Sequence, residues 1–310
     1  MVTALITDPS ALEHVTPPGH PERVERYAAV TRALDAARFG ALDRRAAPVA
    51  DRADLLRCHP ERYIARIETA IPQAGFKALD ADTHVSPGSL QPALRGAGGC
   101  CAAVDAVLDG TVRNAFVAMR PPGHHAETET AMGFCLFGNA AIAAKRALDH
   151  HGLGRVAVLD FDVHHGNGTQ DLLWNERRAL FASSHQMPLY PGTGAAGETG
   201  AHDNVLNLPL APGSGGAEMR AAWDTILAEV VRRPPGLIVV SAGFDAHRDD
   251  PLANLNWTVE DFAWVTRRIC EVAAKVCGGR VVSTLEGGYD LQALAASVAA
   301  HVDVLMEFGS

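Results

Sequence analysis

The chain of 310 residues contains no C-x-x-C pair. Its six cysteines, Cys58, Cys100, Cys101, Cys135, Cys270 and Cys277, have neither metal-knuckle nor redox spacing, and several lie inside apolar runs. A disulfide framework is disfavoured, and thiols buried in a core are expected, as suits a reducing cytoplasm. Basic charge is scarce too. Lys and Arg number 27 against 36 Asp and Glu, a formal charge of −9. That balance argues against direct nucleic-acid binding through phosphates and tolerates a small cationic substrate. The N-terminal MVTALITDPS has no basic segment leading into an apolar one, and no stretch approaches ~18 consecutive apolar residues. Secretion and membrane insertion are therefore disfavoured, and a cytoplasmic location is expected. Internal repeats, low-complexity tracts and Gly/Ser linkers are also missing, so residues 1–310 read as one domain.

The hydrophobic content of 47% can build a sizeable core. Short β-branched apolar runs predict strands over Val2 to Thr7, Ala115 to Met119, Arg155 to Asp160, Leu180 to Ser183, Leu237 to Ser241 and Arg280 to Leu285. Apolar residues at three- and four-residue spacing predict helices over Gly96 to Leu108, Gly138 to His150, Met219 to Arg233 and Val259 to Val276. Strands alternating with helices imply an α/β fold, a mostly parallel central sheet with helices on both faces. In such sheets the ligand crevice lies beyond the carboxyl ends of the strands. Four strands here run into polar motifs: AFVAMR into PPGHHA, VAVLD into FDVHHGNG, LIVVSAG into FDAH, and VVSTL into EGGYD.

The segment VAVLDFDVHHGNGTQ, Val156 to Gln170, sets Asp160, Asp162 and His164 at alternate positions, on one face if the chain stays extended. No Lys or Arg between Asp160 and Gln170 neutralises the acids. A salt-bridged strand end is the bland reading; a divalent metal held by carboxylate and imidazole is the sharper one, with Asp245 as a third ligand and an open position for water. Beside a metal, His124 and His125 become proton-transfer candidates rather than packed histidines. Tyr289 follows Gly287 and Gly288 and reads equally as an ordinary loop aromatic or as a hydroxyl that donates to a developing oxyanion, the glycines letting its loop bend toward the metal. Two other chemistries fail. GTGAAGETG has no G-K-[ST] ending and follows no strand, and Ser183 and Ser184 lack nucleophile-elbow glycines.

Through RPPGHHA, MGFC, LDFDVHHGNGTQ, YPGTG, SAGFDAH and LEGGYD, the chain resembles the zinc-dependent histone deacetylase family, in particular its class II branch and bacterial homologues, including the acetylpolyamine amidohydrolases. The resemblance implies a single arginase/deacetylase domain and hydrolysis of N-acetyl amides with one Zn2+ per chain. Asp162, His164 and Asp245 resemble the zinc ligands. His125 resembles the general base, with His124 assisting electrostatically or as acid and Tyr289 as oxyanion donor. Asp160 looks like the acid that orients His124 and, with Ser183, like part of a structural K+ site; Asn167 stands where the partner of His125 is expected. Gly133, Phe134, Tyr190 and Gly287 resemble residues of the acyl-lysine channel, and Asp82 a rim residue that holds the substrate.

In the related arginases, aspartates that hold a second metal stand where this chain has Gly166 and His247, so a ureohydrolase is rejected. Family members that prefer acetylpolyamines carry a glutamate where FDAHRDDPLAN puts Leu252. The expected substrate is therefore acetyl-lysine in a protein or peptide, with a small acetylated amine as the alternative. Asp249 and Asp250, one loop shift from the rim, are the reason to keep that alternative. A non-enzymatic binder of acylated ligands is disfavoured by the intact ligand set and Tyr289. A homo-oligomer is compatible with all of this.

Overall fold

Each of the six apolar runs forms a strand in the computed structural model, which describes residues 1–310. In chain order the strands are β1 Thr3–Thr7, β2 Asp43–Ala46, β3 Lys77–Ala78, β4 His84–Val85, β5 Asn114–Val117, β6 Val156–Asp160, β7 Ala179–Gln186, β8 Val205–Leu210, β9 Ile238–Ala242 and β10 Val281–Leu285. Eight make one sheet in the order β2-β1-β5-β10-β9-β6-β7-β8, and every neighbouring pair is parallel. β3 and β4 form a separate antiparallel pair. The sequence pattern missed β2 and β8 for one reason: both are edge strands. DRRA in β2 is charged, and VLNLPL in β8 alternates buried with accessible positions and carries Pro209, as edges do.

Nine α-helices surround the sheet: α1 Val24–Leu34, α2 Arg52–Leu55, α3 Glu61–Ala70, α4 Leu90–Leu108, α5 Asn139–Asp149, α6 Asn167–Leu173, α7 Gly216–Arg232, α8 Val259–Cys277 and α9 Leu291–Gly309. The helix expected from Gly96 starts six residues earlier, with Pro92 in its first turn, where a missing N–H breaks no helical bond. α9 is long and apolar enough in composition to cross a membrane, yet half of it is buried, packed on α1 and α8.

Strand alternation divides the core into two layers. Val156 and Val158 of β6 belong to the layer that also holds Ala141 and Ala144 of α5 and Cys100 and Val104 of α4. Ala157 and Leu159 belong to the opposite layer, with Trp223 of α7, Phe262 of α8 and Val298 of α9. Burial on both faces is why β5, β6, β9 and β10 read as continuous apolar runs. Fully burying a residue such as Leu159 contributes about 1.5–3 kcal/mol. The common strand direction delivers the loops after β5, β6, β9 and β10 to one edge of the sheet, and the polar motifs lie in those loops.

Candidate active site

β6 ends at Asp160, so Asp162 and His164 are not on a shared strand face, and that expectation is corrected. They converge by turning. Asp160 Oδ1 accepts from the Asp162 N–H at 3.0 Å, and Asp162 Oδ1 from the His164 N–H at 2.9 Å; each acid thus folds the backbone two residues on toward itself. The loop after β9 brings Asp245 to the same point. His164 Nδ1 lies 3.0 Å from Asp162 Oδ1 and 3.2 Å from Asp245 Oδ2, and one donor atom from each of the three side chains falls within 4.8 Å of the others. All three residues are buried.

Asp245 Oδ1 accepts from the Val163 N–H at 2.9 Å, whereas Asp245 Oδ2, despite its distance to His164, has no hydrogen-bond partner. A buried, orphaned carboxylate oxygen beside a second carboxylate and an imidazole is a donor set that fits a divalent cation. The loop after β10 closes over it. The Gly287 N–H donates to Asp162 Oδ2 at 2.8 Å, and a Cβ at Gly287 would sit 2.1 Å from Asp245 Oδ2. Gly166 excludes a further carboxylate, since a Cβ there would lie 2.3 Å from Asp160 Oδ2; the His247 ring instead accepts from the Asp249 N–H at 3.2 Å.

The tandem histidines lie alongside, their ring centroids 4.0 Å apart. His124 Nδ1 is 3.0 Å from Asp160 Oδ2, and His125 Nδ1 is 2.7 Å from Asn167 Oδ1. Their loop is held by Glu286, which accepts from the Gly123 N–H at 2.7 Å and the His124 N–H at 3.1 Å. Burial opposes charge on both rings. On His124 the carboxylates of Asp162 and Asp160 outweigh it and hold the pKa well above the ordinary imidazole value. On His125 burial acts together with the neighbouring His124 and His164 and pushes the pKa well below. Adjacent histidines are thereby separated into a cation and a neutral base, the division acid–base chemistry needs. Asp160 is pushed up to about 6 by burial, against the pull of His124. Burial would lower His164, but the Asp162 carboxylate hydrogen-bonded to its ring and the nearby Asp245 carboxylate raise it to about 10; a cation held by His164 would displace that proton, so binding would release it.

A pocket of about 240 Å³ opens onto these groups, with Phe134, Tyr190, Leu189 and Leu252 among its walls and His125, His164 and Tyr289 at its inner end. The Tyr190 ring centroid is 5.2 Å from that of His125, and the Phe134 centroid 5.8 Å from that of Tyr289. Asp82 stands at the rim and accepts from the Gly133 N–H at 3.1 Å. A larger hollow, about 790 Å³ between α3 and residues 77–79, contains none of these residues. Tyr289 is 8% exposed and is fixed from two sides. Its N–H donates to Asp250 Oδ2 at 2.7 Å; Arg26 lies 4.9 Å over its ring and donates to the Gly288 and Glu286 carbonyls at 2.6 and 2.5 Å.

Most of the residues singled out from the sequence thus meet at one edge of the sheet. Ser183 is the register partner of Asp160 across β6 and β7, and its Oγ hydrogen-bonds to His185 Nδ1 at 2.9 Å. Gly287, expected in the substrate channel, is not among the residues lining the pocket; its role is the close backbone approach to Asp162 and Asp245. Leu189, Arg26 and Glu286 escaped the sequence reading, and Asp250, noted there only as a doubt over the substrate, instead holds the Tyr289 N–H. Glu286 carried a readable signal, an acid at the end of an apolar strand like Asp160. Arg26 carried none, because the carbonyls it holds are some 260 residues away in sequence.

Residues 20–305 match the histone deacetylase domain model. A histone deacetylase-like amidohydrolase of Pseudomonas aeruginosa is 43% identical over 89% of this chain and 74% of its own length. A probable deacetylase of Archaeoglobus fulgidus is 39% identical over 94% and 82%. The crystal structure of the HD domain of HDA15 superposes with a TM-score of 0.91 at 33% identity, covering 97% of this chain and 90% of that one. The chain belongs to the histone deacetylase family of hydrolases.

Proposed function

We propose that this hydrolase is a zinc-dependent deacetylase that removes the acetyl group from acetyl-lysine side chains of proteins or peptides. The observation that carries the proposal is the meeting of Asp162, His164 and Asp245 with the tandem His124 and His125, each held by its own side-chain partner, and with Tyr289 at the inner end of a pocket. One zinc ion held by those three ligands would supply Lewis acidity toward the amide carbonyl and the attacking water. His125 takes the proton from that water as it adds to the carbonyl carbon. The Tyr289 hydroxyl donates to the carbonyl oxygen as charge develops there. His124, kept protonated by Asp160 and Asp162, stabilises that charge and supplies the proton for the departing amine. Phe134 and Tyr190 flank an unbranched acyl-lysine chain, and Asp82 accepts from the substrate backbone. Asp160 and Ser183 would help hold a structural potassium ion, residues 1–310 act as one catalytic domain, and the protein works in the cytoplasm.

Acetyl-lysine is favoured over an acetylpolyamine by the state of the 249–252 segment. Leu252 offers the pocket an apolar wall. Asp250, the acid nearest to it, is buried and committed, accepting from the Leu252 N–H at 3.0 Å and from the Tyr289 N–H at 2.7 Å. Neither supplies a free charge for a polyamine tail. Turnover of acetyl-lysine peptides and of acetylspermidine, each with and without chelator, tests the reading. Chelator-sensitive hydrolysis with higher kcat/KM on the peptide is expected. No turnover of any acylated amine by zinc-replete protein would overturn the enzyme, and a preference for acetylspermidine would overturn the substrate.

A further inference from the structure

Behind the tandem histidines a line of three side chains runs outward. His125 Nδ1 donates to Asn167 Oδ1 at 2.7 Å, and Asn167 Nδ2 donates to Glu127 Oε1 at 2.8 Å. Asn167 is 5% exposed; Glu127 is half-buried. Met132 Sδ, a weak acceptor, lies 3.3 Å from the same Asn167 nitrogen.

A side-chain amide has one accepting and one donating end, and its orientation follows from what faces each end. An ionised carboxylate has no hydrogen to give, so the end of Asn167 that meets Glu127 is the NH2. Its carbonyl then faces His125. A carbonyl only accepts, so His125 Nδ1 carries the hydrogen, and the lone pair of the neutral ring is assigned to Nε2. A carboxylate in place of Asn167 would need no such arrangement, because both of its oxygens accept. An unsupported amide can turn over, present its NH2 to His125 and place the lone pair on the wrong nitrogen.

We infer that Glu127 is a positioning residue: it fixes the Asn167 amide and, through it, the tautomer in which His125 accepts a proton from the pocket side. This rests on the reading of His125 as the base of the proposed reaction. The loop itself does not depend on Glu127, since the Thr128 N–H and hydroxyl donate to Asp171 Oδ2 at 2.8 and 2.6 Å.

Three variants of the zinc-replete protein test it: Glu127→Gln, which keeps an accepting oxygen, Glu127→Ala, which offers nothing, and Glu127→Lys, which can only donate. kcat is expected near wild type for Gln, down by about 10- to 100-fold for Ala, as for other outer partners of site histidines, and lowest for Lys, with KM and zinc content unchanged throughout. Nitrogen-15 histidine spectra, with the His125 signal identified by its loss in His125→Ala, should show Nδ1–H in wild type and Nε2–H in the Lys variant. Wild-type kcat in the Ala and Lys variants overturns the inference, and so does a fall in kcat with the Nδ1–H tautomer retained. If wild-type protein hydrolyses no acylated amine, a tautomer change in the Lys variant still supports the relay and overturns the functional reading alone.

Discussion

Replacing Asp245 with alanine separates the cost of the site to the fold from its value to a bound metal. Asp245 Oδ1 accepts the Val163 N–H, and leaving that buried donor unpaired costs about 1–3 kcal/mol. Against this stands a gain. Burial and the like charge of Asp162 both disfavour the Asp245 carboxylate, so its removal relieves part of a repulsion between two buried acids. In chelator the two effects largely cancel, and wild type and variant should melt within a few degrees of each other. With zinc they should part. A ligand at a thousand times its Kd adds about 4 kcal/mol, and a large domain gains about 2 °C per kcal/mol. Wild type should therefore melt roughly 8 °C higher in zinc than in chelator, while Asp245→Ala, with one ligand of three gone, should shift little. Thermal melts and elemental analysis of both proteins, each with zinc and with chelator, make the comparison. A variant that keeps one zinc per chain and a wild-type shift would refute the reasoning, because Asp245 would then not be a ligand.

Other outcomes are as definite. Tyr289→Phe should lower kcat by about 10²- to 10³-fold with little change in KM, since the hydroxyl acts once charge develops on oxygen; steady-state kinetics decide, and a near-wild-type kcat would make Tyr289 a wall of the pocket only. Leu252→Glu should raise the kcat/KM of acetylspermidine relative to an acetyl-lysine peptide by roughly tenfold, the equivalent of about 1.5 kcal/mol for a hydrogen-bonded charge; an unchanged ratio would remove Leu252 as the selecting residue. His301 is buried between Thr266 and Ser283, and burial lowers its pKa from 6.5 to about 3. Unfolded chain therefore takes up a proton below pH 6.5 that folded chain refuses until about pH 3, so the stability His301 contributes above pH 6.5 is lost as pH falls, about 2 kcal/mol by pH 5. Urea unfolding of wild type and His301→Gln at pH 7 and pH 5 should show the variant losing less; equal losses would count against a neutral His301.

Legibility followed locality. β6, β9 and β10 are buried on both faces, so their apolar runs were readable and their ends gave Asp162, Asp245 and Tyr289. β2 and β8 were not, because edge strands carry charge and proline that imitate loops. The alternation of Asp160, Asp162 and His164 pointed to residues that do converge, but through the wrong geometry: beyond Asp160 the chain turns on its own carboxylates. Period-2 spacing and a pair of two-residue turns look alike in one dimension.

What the sequence by itself determined is the chemistry available and the edge of the sheet at which it collects. Residue types and the hydrophobic period are local properties, and parallel strands necessarily deliver their carboxyl-end loops to one side. What only the tertiary structure decided is how those groups are set against one another. Glu22 bridges Arg26 and Arg120, Arg26 grips the loop of Tyr289, Glu286 holds the loop of His124, and Gly287 lets backbone touch two buried acids. Each of these joins segments far apart in the chain through a hydrogen bond whose value depends on burial. Burial, unlike residue identity, exists only once the whole sheet and its helices have closed around the site.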